Sequence, residues 1–458
     1  MAVNDILKKN EIYPITIQDF DHIGNGIGRV NGCVVFVPHT AIGDYFLVRI
    51  VKVLKNYAYG IIEDMLKPSS LRIKPLCTCM GKCGGCQLAH ITYQAELDFK
   101  EKHIGDCLKK QGIQTYQMPI IGAAKIQRYR NKAQYPLAYM DGKAVCGFYA
   151  KRSHRVIPTD DCLLQPDIFS DIAKSVLHFI NQYHISIYNE ESKAGLLRSI
   201  FLRKAQTTGQ IMLCLVATSF KIPYMDKLTT KIQKKFPSVV SIVINKNSSD
   251  TNVILGKTCR VMAGTPYIFD SLAGIRVKIS PLSFYQIHHE QAEKLFAVVR
   301  DFASISPNSL LLELYCGIGV IGLSLSDIFD QLIGVEIVEQ AVENAKENAV
   351  DNHIANARFI GMDAAEAANM FFDKGIKPDT ILLDPPRKGC DQQTLSAIVA
   401  MNPQHIIMVS CNPATAARDL AFLSDKGYCI EKVQPVDLFP RTVHTECVAL
   451  LSYNGYTD

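Results

Sequence analysis

Three side chains that could support covalent and acid–base chemistry stand beside predicted strands in the last third of the chain. Cys411 follows the apolar run "HIIMVS", Asp384 follows "TILL" and precedes two prolines, and Glu446 opens the run "ECVALLSY". A cysteine thiolate is a nucleophile, and a helix N-terminus or a neighbouring cation enlarges the thiolate fraction. A carboxylate can act as a base because it is ionised by default near neutral pH. The alternatives are an inert loop thiol, a helix-capping aspartate and a glutamate in a surface ion pair.

A glycine-rich turn offers a site for a nucleotide-type ligand. The segment "LLELYCGIGVIGL" is typical of a buried strand that leads through glycines into a helix, and Gly317, Gly319 and Gly322 match the pattern G-x-G-x-x-G. Glu336 ends the next apolar run, "QLIGVE", where an acid that binds ribose hydroxyls is expected. A dinucleotide and another adenosine-bearing cofactor both fit this arrangement. Glycines at this spacing also occur in purely structural turns.

A group of cysteines near residue 80 has the spacing of a metal site. Cys77, Cys83 and Cys86 follow the pattern C-x5-C-x2-C, with Cys79 between them, and Cys162 comes from a separate segment. Four thiolates can hold a metal ion or an iron–sulfur cluster. Zinc is the general expectation for clustered cysteines, and Cys79 leaves the choice of ligands open.

Composition predicts a globular, mildly basic protein of two or three domains. The chain has 458 residues, 48% of them hydrophobic and 20% charged, and a formal net charge of +5. This charge permits a polyanionic partner without requiring one. The first residues lack an apolar stretch behind a basic start, and no later run approaches the roughly 18 apolar residues of a membrane helix. We therefore expect a cytoplasmic protein without membrane partners, whose 15 cysteines do not form a disulfide framework.

The apolar patterns divide the chain into three predicted domains that position these groups. Short alternating runs separated by turns predict a small β-barrel over residues 1–68. Residues 69–280 have a mixed α+β pattern and carry the cysteine group. Over residues 281–458, buried strands alternate with helices, which predicts an α/β, Rossmann-like parallel sheet. Ligands of such sheets lie at the carboxyl ends of the strands, where the glycine turn, Asp384 and Cys411 stand.

A basic segment in the central domain could contact a nucleic acid. The segment "KIQRYRNKAQYP" combines cations that suit phosphates with tyrosines that suit base stacking: Lys125, Arg128, Arg130, Lys132, Tyr129 and Tyr135. An ordinary solvated basic surface explains the same residues equally well.

Six ordered segments resemble the RNA 5-methyluridine methyltransferase family, specifically its bacterial 23S ribosomal RNA branch. They are "SFYQIHHEQAEKLF", "LYCGIGVIGL", "GVEIVEQAVENAKENA", "LLDPPRKG", "SCNPATAARDL" and "DLFPRTVHTECVALL". The first 68 residues are also similar to the TRAM module, an RNA-binding barrel. The barrel and the cysteine group favour the ribosomal branch over the transfer-RNA branch, which generally lacks both. Three residues depart from the family pattern: His288 replaces a common asparagine, Glu313 an aspartate and Val320 a threonine.

The resemblance implies an S-adenosylmethionine-dependent class I methyltransferase that acts on 23S ribosomal RNA, with no obligate protein partner. It implies Cys411 as the nucleophile that adds to carbon 6 of a uridine, and Glu446 as the base that removes the carbon 5 proton. The implied cofactor-binding residues are Gln286, Tyr315, Gly317, Gly319, Glu336 and Asp384. The implied ligands of a 4Fe-4S cluster, favoured over zinc, are Cys77, Cys83, Cys86 and Cys162.

Other functions share part of this pattern. A nicotinamide-dependent oxidoreductase would use the glycine turn but would not need Cys411 and Glu446 at neighbouring strand ends. A non-catalytic RNA-binding or ribosome-assembly protein would need the barrel and the basic segment alone. Methylation of a transfer-RNA uridine, or of a cytidine, would use nearly the same residues.

Overall fold

The computed structural model describes residues 7–251, 253–303 and 309–455, which fall into two compact units. The first unit comprises the described residues of Met1–His103 together with Ala150–Ser153 and Phe439–His444. The second comprises those of Ile104–Tyr149, His154–Leu438 and Thr445–Asp458.

A closed five-stranded barrel begins the first unit and confirms the predicted small β-barrel. Its strands are β1 (Ile12–Phe20), β2 (Gly26–Val30), β3 (Cys33–Val37), β4 (Tyr45–Val53) and β5 (Tyr57–Lys67), in the order β1-β2-β3-β5-β4. Alternate residues of each strand point inward, because successive side chains of a strand face opposite sides. Closure pairs the edge strands with each other and so removes exposed sheet edges.

A buried ion pair in the first unit holds the segment Phe439–His444. Helix α1 (Tyr93–Lys110) carries Glu96 and Lys100, both fully buried, with 2.7 Å between Lys100 Nζ and Glu96 Oε1. The backbone N–H of Arg441 donates to the same Glu96 oxygen at 2.7 Å, and Lys100 Nζ donates to the carbonyl of Phe439 at 3.2 Å. Charge-assisted bonds of this kind fix a backbone segment in one position.

A seven-stranded sheet forms the first part of the second unit, in the order β13-β12-β11-β10-β7-β8-β9. Its strands are β7 (Lys132–Met140), β8 (Lys143–Tyr149), β9 (Val156–Pro158), β10 (Leu197–Lys204), β11 (Ile211–Ala217), β12 (Val239–Lys246) and β13 (Thr258–Gly264). Helices α2 (Asp167–Gln182) and α3 (Met225–Lys235) pack their apolar faces on one side of this sheet. The β14–β15 hairpin, Ile268–Leu272 and Ile275–Ile279, follows it.

An eight-stranded sheet completes the second unit, in the order β18-β17-β16-β19-β20-β22-β21-β6. Its strands are β6 (Tyr116–Gln117), β16 (Leu310–Leu314), β17 (Gln331–Glu336), β18 (Ala357–Gly361), β19 (Thr380–Leu383), β20 (His405–Ser410), β21 (Tyr428–Val436) and β22 (Glu446–Tyr453). Strands β16 to β20 are parallel, and β22 runs antiparallel to β20. The predicted α/β, Rossmann-like class is therefore confirmed.

Helix α4 (His289–Phe302) precedes β16, and within the described residues one helix follows each of the strands β16 to β20. These five helices are α5 (Val320–Leu323), α6 (Glu339–Asp351), α7 (Ala364–Asp373), α8 (Gln392–Met401) and α9 (Pro413–Ser424). Strands β16, β19 and β20 share one continuous apolar core with α7, α8 and α9. Across the described ranges, no helix has both the length and the apolar character needed to cross a membrane.

Candidate active site

The sheet register brings Cys411, Asp384 and Glu446 to one edge. Cys411 follows the last residue of β20, and Glu446 is the first residue of β22. These strands are antiparallel neighbours with Ser410 opposite Cys447, so Cys411 and Glu446 leave the sheet side by side. Asp384 follows β19, the parallel neighbour of β20. A thiol and two carboxyl groups therefore meet at the carboxyl edge of the parallel strands.

The two carboxyl groups at this edge are poorly solvated. Burial, with a smaller contribution from Asp384, raises the pKa of Glu446 to about 8 against the opposing effect of Arg387. Burial also raises the pKa of Asp384 to about 7. The expectation that the glutamate is ionised by default is wrong for the cofactor-free protein, because removing a carboxylate from water favours its neutral form.

The Cys411 thiol is likewise held in its protonated form. Burial first, then the carboxyls of Glu446 and Asp384, raise its pKa to about 11, while Arg387 acts in the opposite direction. Cys411 lies just before Asn412, which caps α9 by accepting a bond from the N–H of Ala414 at 3.2 Å. The positive end of a helix favours a thiolate, so the expected helix terminus is present but is opposed by the two acids.

Arg387 is a site residue to which sequence reasoning assigned no role. The Asn412 side chain donates to the Arg387 carbonyl at 2.9 Å, which ties the loop after β19 to the start of α9. The positive charge of Arg387 acts to lower the pKa values of both Cys411 and Glu446. The sequence feature that could have identified Arg387 is its position in "LLDPPRKG", three residues after Asp384.

The glycine turn joins the end of β16 to Glu336 at the end of β17. Gly317 and Gly319 have φ values of 55° and 78°, the left-handed region that glycine adopts without strain. The Glu336 carboxylate accepts the N–H of Gly317 at 3.1 Å and that of Val338 at 2.8 Å. A Cβ at position 319 would lie 2.8 Å from the Phe359 ring, so this position has no room for a larger residue.

A cleft with about 430 Å³ of free space lies against this turn. Four of the predicted cofactor residues line it, namely Gln286, Tyr315, Gly317 and Asp384. Its wall also includes Phe284, which lies in the segment "SFYQIHHEQAEKLF" but was not predicted to be a site residue. Phe284 is 67% exposed, which leaves an aromatic ring available beside the cleft.

Two carboxyl groups, those of Glu313 and Asp384, line the cleft and give it its electrostatic character. Glu313 lines it and accepts the N–H of Gly322 at 3.2 Å. Burial, then Asp384 and Glu336, raise the pKa of Glu313 to about 8. Buried carboxyl groups with raised pKa values, here Glu313 and Asp384, favour a cationic ligand, because a positive charge would stabilise their ionised forms.

His288, a departure from the family pattern, has a structural role. It is buried, its Nδ1 accepts the N–H of Gln291 at 3.4 Å as the N-cap of α4, and its Nε2 lies 3.0 Å from the Lys125 carbonyl. Its ring stacks on Tyr129 with 4.5 Å between centroids. These contacts place the segment that carries Gln286.

Much of the basic segment is structural. Lys125 pairs with Glu290, and the Arg128 guanidinium binds both carboxylate oxygens of Asp161 at 2.6 Å. Tyr129 and Tyr135 are 7% and 2% exposed, so the prediction that they stack on bases is wrong. Tyr129 stacks on the buried ring of His288, and Tyr135 belongs to the apolar core between β7 and the helices that cover it.

The predicted cluster cysteines lie in both units. Cys77, Cys83 and Cys86 belong to the first unit and Cys162 to the second. The N–H of Gly85 points at Cys83 Sγ from 3.3 Å, a type of bond that stabilises sulfur ligands of clusters. Within the part of the chain that the structure describes, no group of three or more metal-ligating side chains is arranged around one point. The four-cysteine site stays a prediction.

Two family profiles match this sequence. Residues 273–454 match the tRNA (uracil-5-)-methyltransferase family, and residues 7–62 match the TRAM domain. The second match covers β1 to β4 and the first part of β5, and the first covers the parallel strands β16 to β20 and the edge that carries Cys411 and Glu446.

Relatives match along almost the whole chain. An RNA methyltransferase of Clostridium tetani, described as uncharacterised, is 40% identical over 98% of both chains. A similarly described protein of Halalkalibacterium halodurans is 39% identical over 97% of this chain and 98% of its own. The solved structure of the Pyrococcus abyssi tRNA (uracil-54, C5)-methyltransferase, in complex with S-adenosyl-L-homocysteine, matches 96% of this chain and 99% of that one, with a TM-score of 0.77 and 27% identity. The chain therefore belongs to the family of RNA (uracil-5-)-methyltransferases.

Proposed function

We propose that this enzyme transfers a methyl group from S-adenosylmethionine to carbon 5 of a uridine in 23S ribosomal RNA, through a covalent bond between Cys411 and carbon 6. The observation that carries the proposal is the side-by-side placement of Cys411 and Glu446 at the edge of the sheet, close to Asp384 of the glycine-turn cleft. A nicotinamide-dependent oxidoreductase would need neither the thiol nor the glutamate.

The chemistry requires a nucleophile because carbon 5 of uracil is itself a poor one. Cys411 first loses its thiol proton to solvent; the thiolate then adds to carbon 6, and the electron pair displaced from the double bond makes carbon 5 nucleophilic. Carbon 5 then takes the methyl group as the bond between that methyl and the donor sulfur breaks, and S-adenosylhomocysteine is left. Glu446 accepts the carbon 5 proton, the double bond reforms and the bond between Cys411 and carbon 6 breaks, which restores the thiolate. The target base must leave its stack to reach this edge.

The residues of the cleft fit the methyl donor. When bound, S-adenosylmethionine supplies a methyl group on a positively charged sulfur. Glu313 and Asp384 offer carboxyl groups to that charge, and Glu336 offers acceptors to ribose hydroxyls at the end of β17. Gln286 and Tyr315 line the same cleft, while Gly317 and Gly319 bring the backbone close to the ligand.

Two features support a ribosomal substrate, and one supports a transfer RNA. The TRAM barrel and the cysteine loop accompany the ribosomal branch in the family pattern. The second candidate is a transfer-RNA uridine, because the matched family profile and the Pyrococcus abyssi structure both bear that activity in their names. Unmodified 23S ribosomal RNA and unmodified transfer RNA, offered separately, distinguish these substrates by where 5-methyluridine appears.

A 4Fe-4S cluster held by Cys77, Cys83, Cys86 and Cys162 is part of the proposal. The reaction moves no net electrons, so the role we assign to the cluster is structural, within the proposed central domain of residues 69–280. Anaerobically purified protein should contain about four iron and four sulfide ions per chain. Stoichiometric zinc without sulfide would contradict this assignment. We place the enzyme in the cytoplasm with its RNA substrate.

Two variants test the covalent mechanism. Glu446→Gln should accumulate methylated RNA bound to the protein, seen as a slow band on a denaturing gel, because the carbon 5 proton stays in place and Cys411 cannot leave. Cys411→Ala should form neither product nor adduct. Cys429→Ala, at an exposed cysteine of β21, serves as the control and should form product like the wild type. Normal turnover by Cys411→Ala would refute the proposed mechanism.

A further inference from the structure

One face of the seven-stranded sheet carries a group of uncompensated cations. Lys132 of β7 and Arg203 of β10 are direct partners in an antiparallel pair. Arg130 precedes β7 in a bridge with His288, lies close enough to Lys132 to lower its pKa, and has a buried Nε without a hydrogen-bond partner among the described residues. Within the described ranges, none of the three forms an ion pair with a carboxylate. Like charges opposite each other destabilise a strand pair, which makes this arrangement costly without an anion.

Burial increases the need for an anion at this cation group. Arg203 is 5% exposed, its Nη2 donates to the Ser283 carbonyl, and its Nε has no hydrogen-bond partner in the described structure. Burial lowers the pKa of Arg203 to about 10. Burial, Arg203 and Arg130 together lower the pKa of Lys132 to about 8. A bound anion would relieve both the repulsion and the desolvation.

A pocket with about 480 Å³ of free space lies on the same face. The pocket is lined by Gln134 and Pro136, which lie two and four residues after Lys132 on β7. It is also lined by Ser199 of β10, which pairs with Pro136. Ser199 is 6% exposed, and its hydroxyl has no partner among the described residues.

The wall of this pocket is aromatic and carries no net charge. The rings of Tyr149 and His154 lie 5.4 Å apart, and Glu190 neutralises Arg198 at 3.1 Å. Flat aromatic surfaces with amide and hydroxyl groups suit a nucleobase, whereas a second phosphate would meet Glu190. The face therefore offers two adjoining surfaces of different chemistry.

The cation group borders the candidate active site. The Asn131 side chain donates to the Gln286 carbonyl at 2.7 Å, and Arg203 binds the carbonyl of Ser283. Gln286 lines the glycine-turn cleft, as does Phe284 next to Ser283. The pocket lies further along β7, about 7 Å per two residues. An RNA strand leaving the cleft would meet the cations first and the pocket next.

We propose that the β7–β10 face binds a nucleotide that adjoins the methylated uridine, with its phosphodiester on Lys132, Arg203 and Arg130 and its base in the pocket of Tyr149, His154, Gln134 and Ser199. This inference rests on the proposed function, since it takes RNA as the substrate. It concerns a neighbour of the target, because the thiol and glutamate lie at the edge of the other sheet.

Binding of a labelled single-stranded RNA of mixed sequence over a salt series tests the phosphate contact. Lys132→Met should lower the slope of log affinity against log salt by about 0.7, the value for one phosphate contact to a single strand. Lys132→Arg should keep the wild-type slope. The matched control, Lys231→Met, removes an exposed cation from α3, which packs on the opposite face, and should keep it too. Equal slopes for Lys132→Met and the wild type would overturn the phosphate assignment.

The same assay tests the base pocket. Tyr149→Ala should weaken binding about five- to a hundred-fold without changing the salt slope, and Tyr149→Phe should restore it. Wild-type affinity in Tyr149→Ala would overturn the base assignment. Formation of 5-methyluridine by the wild type is measured separately. If the wild type methylates RNA and both variants bind normally, this inference alone fails; if the variants lose binding but no methylation occurs, the proposed function alone fails.

Discussion

Replacing Glu446 by glutamine should change how the stability of the cofactor-free protein depends on pH. Burial raises the pKa of this carboxyl from 4.5 to about 8. In the unfolded chain the group ionises near its ordinary value, whereas in the folded protein it stays protonated until a much higher pH. Its stabilising contribution is therefore complete below about pH 4.5 and is lost as the pH rises through about 8. Glutamine has nearly the same shape and does not titrate.

The size of the effect follows from the shift. Each pKa unit corresponds to about 1.4 kcal/mol of difference between the two protonation states. A rise from 4.5 to about 8 corresponds to an effect on the order of 5 kcal/mol once the folded group begins to ionise. Glu446→Gln should thus match the wild type in acid and become progressively more stable than it towards pH 8.

Thermal unfolding at a series of pH values measures this difference. The midpoint of Glu446→Gln minus that of the wild type should increase from about pH 5 to about pH 8. Glu366→Gln, at an exposed position of α7, provides the control and should show a constant difference. A constant difference for Glu446→Gln as well would refute the reasoning that burial keeps this carboxyl neutral.

Three further outcomes are expected. Glu336→Ala should weaken S-adenosylmethionine binding about ten- to a hundred-fold by calorimetry, because the ribose hydroxyls lose a charged acceptor; an unchanged affinity would mean that the donor binds elsewhere. Cys162→Ser should lose the visible absorption and the iron of the cluster while keeping donor binding, and retained iron would remove Cys162 from the ligand set. Gly319→Ala should lower the thermal midpoint more than Gly375→Ala, because both have positive φ but only the former meets a side chain, Phe359. Equal decreases in the thermal midpoint would show that the Phe359 ring moves away from the new methyl group at position 319.

The strand-end residues could be predicted from sequence because parallel sheets have a simple geometry. Cys411 and Asp384 each follow an apolar run, and parallel strands present their carboxyl ends at one edge. The antiparallel strand β22 enters beside β20, which brings its first residue, Glu446, to that same edge. The hydrophobic pattern of the strands and their order in the sequence are therefore enough to predict where these three residues lie.

Protonation and burial could not be predicted in the same way. The tyrosines of the basic segment alternate with cations in the sequence, but Tyr135 faces the helices that cover one side of the sheet. Lys132 faces the other side, opposite Arg203, which is 71 residues away in sequence. Likewise, the raised pKa of Glu446 depends first on burial and then on the neighbouring Asp384, which only the packed structure provides.

The carboxyl groups of the site suggest that donor binding and base activation are coupled. Without a ligand, Glu313, Asp384 and Glu446 have raised pKa values and hold protons near neutral pH. A sulfonium cation in the cleft should lower these pKa values and release protons. S-adenosylhomocysteine has an uncharged sulfur, so methyl transfer would raise the pKa of Glu446 again just when that group must accept the carbon 5 proton.

Calorimetry in buffers of different ionisation enthalpy measures this coupling. Near neutral pH, S-adenosylmethionine should release more protons on binding than S-adenosylhomocysteine does, since the two ligands differ in the charge at sulfur. Asp384→Asn should reduce the difference, because it removes one of the titrating groups and its influence on Glu446. Equal proton release for both ligands in the wild type would mean that the carboxyls do not respond to the sulfonium, and that Glu446 must lose its proton by another route before it can act as the base.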